Sequence, residues 1–341
     1  VSEPCPHCAE PIGTTDQFCE GCGADLRVRR SGTVAVAGAD RPCHACGLAA
    51  GTAVGPGTEY CPQCGLRRRD GTDRVEIDLG ALAGVSDRGY GHARNEDAMA
   101  LGHTAGPYTA GLAAVVCDGV STTDSPELAS RTAAEAALDV LLGAGRAGRP
   151  AGSHSLDAVA AAARAVAVLP APSARHAPCC TLVSALVDRS APDLPEITVA
   201  WVGDSRAYWL AEAGAAEPAR QLTADHSWAA EMVARGVLDA PTAMADARAH
   251  TITRWLGADG EPEPGVVTLR PAGSGVLLLC SDGLWNYLPD AEGLAAITLR
   301  AIDKGTGSLD VAAALTAVAL EAGGHDNITV VVIPITVRSP P

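Results

Sequence analysis

The sequence predicts an α+β fold: one large domain of two β-sheets with helices packed outside, preceded by two small cysteine-bound modules. Three observations carry this. Eight of the twelve cysteines fall in four Cys-x-x-Cys pairs before residue 65. From about Val75, strand-like apolar runs alternate with Ala-rich helices but lack the even spacing of βαβ units. No glycine-rich nucleotide loop follows a strand. The boundaries expected are 1–34 and 39–72 for the two modules and 75–336 for the large domain.

The pairs are Cys5/Cys8, Cys19/Cys22, Cys43/Cys46 and Cys61/Cys64, with 10 residues between the first two pairs and 14 between the second two. Each pair can place two thiolates on one tetrahedral ion, and two pairs complete a Cys₄ zinc site. Two structural Zn²⁺ ions are therefore expected, one per ribbon. They contribute folding energy, because modules of roughly 20 residues cannot bury a core of their own. Disulfides or a redox Cys-x-x-Cys are the alternatives; the absence of a signal-like start and of βαβ context argues against both. His7 and His44 lie inside pair loops and read as neighbours of the metal, not ligands. Arg27, Arg29 and Arg30 follow the first ribbon, and Arg67, Arg68 and Arg69 the second. They read as solvated linker charge or as a surface that docks a protein partner or the large domain.

With 341 residues, 47% apolar, the chain can bury a full core. Ala, Val and Leu dominate and there is one Phe, so helix packing is expected to be close and small-residue based. The formal net charge is -15, which disfavours a non-specific nucleic-acid platform. No apolar run reaches the roughly 18 residues of a membrane span, and the start lacks the regions of a secretory signal. A soluble cytoplasmic protein is expected.

Along the large domain, Thr109 to Cys117 reads as a strand ending at Asp118-Gly119. Ser125-Pro126-Glu127 opens a helix to about Leu142 by cap, N1 proline and early acid. After a break from Gly143 to Ser153, a second helix covers Leu156 to Leu169, stopped by Pro170 and Pro172. Residues 180–188, 197–202 and 206–210 read as three strands of an antiparallel meander. His226-Ser227 begins a short helix to Arg235, and Arg248 to Leu256 forms a further segment. Strands at Val266 to Leu269 and Val276 to Cys280 precede helices at Ala291 to Asp303 and Leu309 to Glu321. A last strand, Ile328 to Ile333, closes the domain. Cys117, Cys179, Cys180 and Cys280 sit in apolar runs and read as small buried hydrophobes, not nucleophiles.

Four acidic signatures punctuate these elements: Asn95-Glu96-Asp97, Asp118-Gly119, Asp282-Gly283 and Asp326-Asn327. Asp-Gly alone is an ordinary turn signal. Asp118 and Asp282, however, each follow an apolar strand, where a charge at a buried strand end needs a reason. Converging, they form a site of hard oxygen ligands suited to Mg²⁺ or Mn²⁺. Two such ions can activate water against a phosphoester, so a metal-dependent phosphoester hydrolase is expected.

Over about Ile77 to Ile335 the chain resembles the metal-dependent Ser/Thr protein phosphatases, the type 2C or PPM family. The motifs are Ser86-Asp87-Arg88-Gly89 with Asn95-Glu96-Asp97, Val116-Cys117-Asp118-Gly119, Cys180-Thr181-Leu182, Val202-Gly203-Asp204-Ser205-Arg206, Leu222-Thr223-Ala224-Asp225-His226-Ser227, Leu279-Cys280-Ser281-Asp282-Gly283-Leu284-Trp285 and Asp326-Asn327-Ile328-Thr329. The resemblance implies an α-β-β-α sandwich with a binuclear Mn²⁺/Mg²⁺ centre at one edge. Asp118 would bridge both ions and Gly119 would offer a carbonyl. Asp282 and Asp326 would hold the second ion, and Glu96 and Asp97 would complete the site. Asp204 would help hold a third ion. Asn327 would fix the loop or a ligand by hydrogen bonding.

The chain also departs from that family. Where many members carry a phosphate-gripping arginine five residues before the aspartate of the acidic pair, His92 stands; the alternatives are that Arg94, on the same face of an extended segment, takes over the phosphate, that His92 binds it alone, or that neither does. Val120 occupies the place of a proposed general acid. Ser121 to Ser125 replaces a glycine-rich stretch and reads as helix capping. Residues 227–251, with Trp228, Met232, Val237, Leu238, Met244 and His250, correspond to a variable flap beside the cleft. The expected partner is a phosphorylated protein, a Ser/Thr kinase or its targets. Two alternatives stand beside this: a weakly active phosphoprotein-binding sensor, and a zinc-ribbon nucleic-acid regulator.

Overall fold

The computed structural model describes residues 3–4, 8, 10–13, 18–23, 28–30, 48, 61–64, 73–104, 111–143, 150–171, 177–191, 194–211, 215, 217–260, 262–303 and 305–337. Cys5, Cys43, Cys46, His7, His44, Arg27 and Arg67 to Arg69 lie outside the described residues.

The first elements are β1 (Glu3–Pro4), β2 (Pro11–Ile12) and β3 (Val28–Arg30). There follow β4 (Arg74–Asp78), β5 (Ala83–Asp87), β6 (Asp97–Thr104), β7 (Gly111–Asp118), α1 (Pro126–Gly143) and α2 (Ala151–Ala167). Next come β8 (Cys179–Cys180), β9 (Leu182–Asp188), β10 (Glu196–Val202), β11 (Arg206–Leu210), β12 (Arg220–Gln221), α3 (Trp228–Ala234), α4 (Ala240–Met244) and β13 (Leu256–Gly257). The chain ends with β14 (Gly265–Leu269), β15 (Gly275–Cys280), α5 (Asp282–Trp285), α6 (Ala291–Asp303), α7 (Ser308–Glu321) and β16 (Ile328–Ile335).

Two six-stranded antiparallel sheets form the centre, in the orders β14-β10-β9-β7-β6-β3 and β12-β11-β15-β16-β5-β4. Their facing sides are filled by residues such as Leu101, Val116, Val199, Trp209, Leu277 and Val331. Alternation along each strand sends the other set of side chains outward to the helices. On one side Ala129, Ala133 and Ala137 of α1 and Ala158 and Ala162 of α2 cover Val115 and Leu182. On the other, Leu294 of α6 and Val311 and Leu315 of α7 cover Leu278, Val330 and Val332. The expected sandwich and its alanine-rich helix packing are both present.

Several local expectations are corrected. The three-strand meander stops at two: β9 pairs with β10, but β11 pairs with β15 in the opposite sheet. The crossing occurs at Gly203, whose φ is +98°, and a Cβ there would lie 2.6 Å from Thr181 Cγ2, so only glycine makes this turn. The second helix starts at Ala151, not Leu156, because Pro150 sits just ahead of the first turn and the following His154, Ser155 and Ala158 bury. Strands β4 to β6 escape a periodicity reading; β5 is buried at all five positions and shows no alternation. Beyond α3, Arg248 to His250 is turn, Ile252 bridges to Ser227, and Leu256 opens β13. Among the described residues no helix is long and apolar enough to cross a membrane.

Candidate metal centre

Asp97 opens β6 and Asp118 closes β7, and the antiparallel register sets them opposite each other. From the second sheet, β15 ends one residue before Ser281, so Asp282 starts α5, while Asp326 lies two residues before β16. Asp204 stands on the crossing turn after β10. Each of Asp97, Asp118 and Asp282 feels the charge of the others or of Asp204 and Asp326, so the strand ends do gather these carboxylates. Gly283 lets the two loops of the second sheet meet: a Cβ there would lie 2.0 Å from the Asn327 carbonyl oxygen.

The electrostatics are those of crowded anions. Burial pushes Asp97 up to about 7, an effect partly offset by hydroxyl bonds from Ser281 and Thr329. Burial and then the Asp225 charge raise Asp204 to about 7. Asp118 and Asp282 stand well above the usual carboxylate range, through burial and then their neighbours' charge. In Asp326 burial acts upward, but the hydrogen bond and charge of His92 hold it below its ordinary value. Asp97 Oδ1 and Asp282 Oδ1 are buried with no hydrogen-bond partner. Orphaned carboxylate oxygens in an all-oxygen cluster are the donors that hard divalent cations require.

Hydroxyl and amide side chains fix these acids in place. Asp97 Oδ2 accepts from Ser281 Oγ and from Thr329 Oγ1, both at 2.7 Å. Thr329 Oγ1 in turn meets Ser86 Oγ at 2.8 Å, and Ser86 Oγ accepts from Asn95 Nδ2. Asn327 Oδ1 accepts the Glu96 amide at 2.6 Å, and its Nδ2 donates to the carbonyls of Arg88 and Arg94. The loop-fixing role expected of Asn327 is therefore met. Ser121 Oγ donates to Glu96 Oε2 at 2.5 Å, so this hydroxyl orients an acid where capping was expected. Thr181 Oγ1 accepts the Asp118 amide and meets Ser205 Oγ at 2.8 Å. Trp285 Nε1 donates to the Asp204 carbonyl, while Arg206 lies 3.7 Å over the Trp285 ring and forks onto Asp225. The sequence reading missed Ser281, Thr329, Ser205 and Asp225; the one available signal was their adjacency to the acidic motifs.

His92 and Arg94 separate. His92 Nε2 lies 3.1 Å from Asp326 Oδ1 and Nδ1 3.7 Å from Glu96 Oε2, and its bond to Asp326 raises its pKa. Arg94 is 56% exposed and pairs with Glu127 Oε1 at 3.2 Å and Glu96 Oε1 at 3.4 Å. It lines a cleft of about 330 Å³ with Asn95, Asp97, Glu127, Arg131 and Glu135. In the flap, Ser227 caps α3, Arg248 lies over Trp228, and His250 stacks on Trp285; Val237 and Met244 are exposed. The four cysteines of the large domain are buried as expected, and burial pushes the Cys179 thiol up to about 12.

A second cluster stands in the first ribbon. The sulfurs of Cys8, Cys19 and Cys22 all lie within 4.8 Å of one another, with Cys8 and Cys19 3.5 Å apart. Thiolates in this arrangement suit zinc. Among the described residues no other set of three or more candidate ligand atoms closes so tightly. Cys61 and Cys64, expected as ligands of the second ribbon's ion, therefore join no such cluster among the described residues, and Cys61 is buried while Cys64 is exposed. The physical reason is the ligand count: one Cys-x-x-Cys pair supplies two of the four sulfurs of a tetrahedral site. Cys43 and Cys46, which would complete the set with Cys61 and Cys64, lie outside the described residues.

Residues 5–65 match the double zinc ribbon family. A serine/threonine phosphatase, stp, of Listeria innocua is 36% identical over 154 residues, covering 45% of this chain and 55% of that protein. The chain thus spans about half the length of the curated relatives it matches. The crystal structure of the PPM Ser-Thr phosphatase MsPP from Mycobacterium smegmatis, in complex with cacodylate, is 27% identical, with a TM-score of 0.55 over 75% of this chain and 99% of that one. The catalytic domain of the serine threonine protein phosphatase PstP, in complex with two manganese ions, is also 27% identical, with a TM-score of 0.53 over 74% and 96%. The large domain is homologous to PPM-type Ser/Thr phosphatases. The helix-covered pair of sheets is the fold of that family, and the ribbons are an addition at its amino-terminal side.

Proposed function

We propose that the chain is a protein serine/threonine phosphatase with domains at 1–34, 39–72 and 75–336, and that its acidic cluster is a binuclear Mn²⁺ or Mg²⁺ centre. The observation that carries the reading is the set of buried and half-buried carboxylates delivered by both sheets, two of them with orphaned oxygens. The two manganese ions of the PstP structure and the cacodylate, a tetrahedral oxyanion, of MsPP support it.

Asp118, Asp282, Asp326, Asp97 and Glu96, together with the Gly119 carbonyl, would hold the two ions, and Asp204 would help hold a third. Bound there, the ion pair supplies Lewis acidity that lowers the pKa of water and neutralises charge on a phosphoryl group. The chain's part is to hold its acids rigid, through Ser281, Thr329, Asn327 and Ser121, so that little reorganisation accompanies reaction. Arg94 and His92 bind the phosphate; Arg94, the more exposed of the two, exchanges its ion pairs to Glu127 and Glu96 for the ligand, while His92 is tied to Asp326. Val120 cannot donate a proton, which leaves the leaving group to solvent or His92. Burial raises the thiol pKa values of Cys179, Cys180 and Cys280 and disfavours their thiolates, so the reading has water as the nucleophile and no covalent intermediate.

The substrate is a phosphorylated protein, a Ser/Thr kinase or one of its targets. The ribbons carry two Zn²⁺ ions, the second held by Cys43, Cys46, Cys61 and Cys64. Hydrolysis of an aryl phosphate with and without Mn²⁺ tests the acidic centre: activity is expected with metal and lost in D118N and D282N. Full activity in metal-free protein or in both variants would end the binuclear reading.

A further inference from the structure

Strand β3 does not join the ribbon's own ladder. β1 pairs with β2, whereas β3 pairs with β6 of the large domain, Val28 opposite Thr104, Arg29 opposite His103 and Arg30 opposite Gly102. Val28 packs on the core beneath α1 and α2, and Arg30 forms an ion pair with Asp139 on α1. Without β3, β6 would be the outermost strand and would present unpaired amides and carbonyls. At its other end, β6 carries Asp97 in register with Asp118.

The cysteine cluster lies immediately upstream. Cys22 precedes Val28 by six positions, and the Gly23 amide donates to the Cys19 carbonyl at 2.8 Å, closing the turn that holds two of the three sulfurs. Three paired residues hold poorly to a sheet edge by themselves, because fixing their backbone costs entropy comparable to what a few hydrogen bonds return. A metal that closes the turn shortens the free chain ahead of β3 and raises the strand's effective concentration at the edge.

We propose that the first ribbon is a metal-dependent clasp on the sheet that carries Asp97 and Asp118. With the cysteine cluster closed on its metal, Val28–Arg30 seals the β6 edge; with the cluster open, the strand leaves and the edge is freed. The coupling is reciprocal, so β3 pairing also tightens the metal at the cysteines. The clasp rests on the zinc reading of the ribbon and says nothing about which substrate the acidic centre takes.

Hydrogen exchange and zinc analysis on the full-length protein test it. In C22S, exchange over residues 102–104, the stretch of β6 that β3 covers, is expected to speed by about tenfold, while β9 in the middle of the same sheet stays protected. V28D keeps every cysteine but places a charge against the core; it is expected to free β6 equally and to weaken zinc retention against a chelator by about tenfold. If C22S also exposes β9, V28D alone decides. Zinc absent from the wild type overturns both the zinc reading and the clasp. Zinc present with β6 exchange indifferent to C22S, or zinc retention unchanged in V28D with β6 freed, overturns the clasp alone.

Discussion

Replacing Asn327 by alanine removes a side chain that ties three segments of the acidic centre together. Asn327 is 2% exposed, and its amide serves the Glu96 N–H at 2.6 Å, the Arg88 carbonyl at 2.7 Å and the Arg94 carbonyl at 3.1 Å. Truncation leaves the first two groups buried without partners, at about 1–3 kcal/mol each, while water reaches the part-buried third; the expected loss is about 2–6 kcal/mol. Urea unfolding of metal-free protein measures it from the shift in midpoint at constant slope. N327D is the sharper probe. It keeps the acceptor for Glu96 but turns a charged oxygen toward two carbonyls, so it should be at least as damaging at pH 7 and should recover in part when acid protonates it. A loss under about 0.5 kcal/mol in N327A, or wild-type stability in N327D at pH 7, refutes this account of how the centre is held.

D118N and D282N each replace an acid whose ionised form is disfavoured by burial and then by its neighbours' charge, so in the absence of divalent ions both should melt above the wild type while losing any rise in melting temperature on adding Mn²⁺; a drop in the metal-free melting temperature contradicts that electrostatic cost. R94A should raise KM for a phosphorylated substrate more than H92A does, and the reverse order removes Arg94 from the phosphate site. Burial, then the Arg254 charge, holds His226 down to about 4, below the 6.5 of free imidazole. Its neutral form is favoured by folding, so its contribution is complete above about pH 6.5 and lost as pH falls toward 4. H226N retains an acceptor for the Gly203 amide and should show a shallower loss of stability over that window; an equal slope assigns the loss elsewhere.

Legibility in the sequence followed local chemistry. Asp118 and Asp282 could be placed at strand ends because an apolar run stops at a charge, and α1, α6 and α7 declared themselves by proline, acid and glycine at their ends. The crossing at Gly203 could not be read: β11 alternates identically whether it continues one sheet or enters the other, and partner choice is set by distant residues of β15. Strand β5, buried on both faces, has no period to detect. Ser121 looked like a cap because serine before a helix usually is one; its actual acceptor, Glu96, is 25 positions away. The three residues of β3 carry no pattern at all, and their place is fixed by the free edge of β6.

The two sheets each supply part of the acidic group, Asp97 and Asp118 from one and Asp282 and Asp326 from the other. The apolar layer between them is consequently a spacer whose thickness sets the gap across which the carboxylates face. Trimming a side chain in that layer, Leu101 or Val331 for instance, lets the sheets settle or slide. Such a change touches no acid, yet it alters the span between the two halves of the acidic group. The sandwich acts as a caliper, and the volume of its filling sets the opening of the jaws.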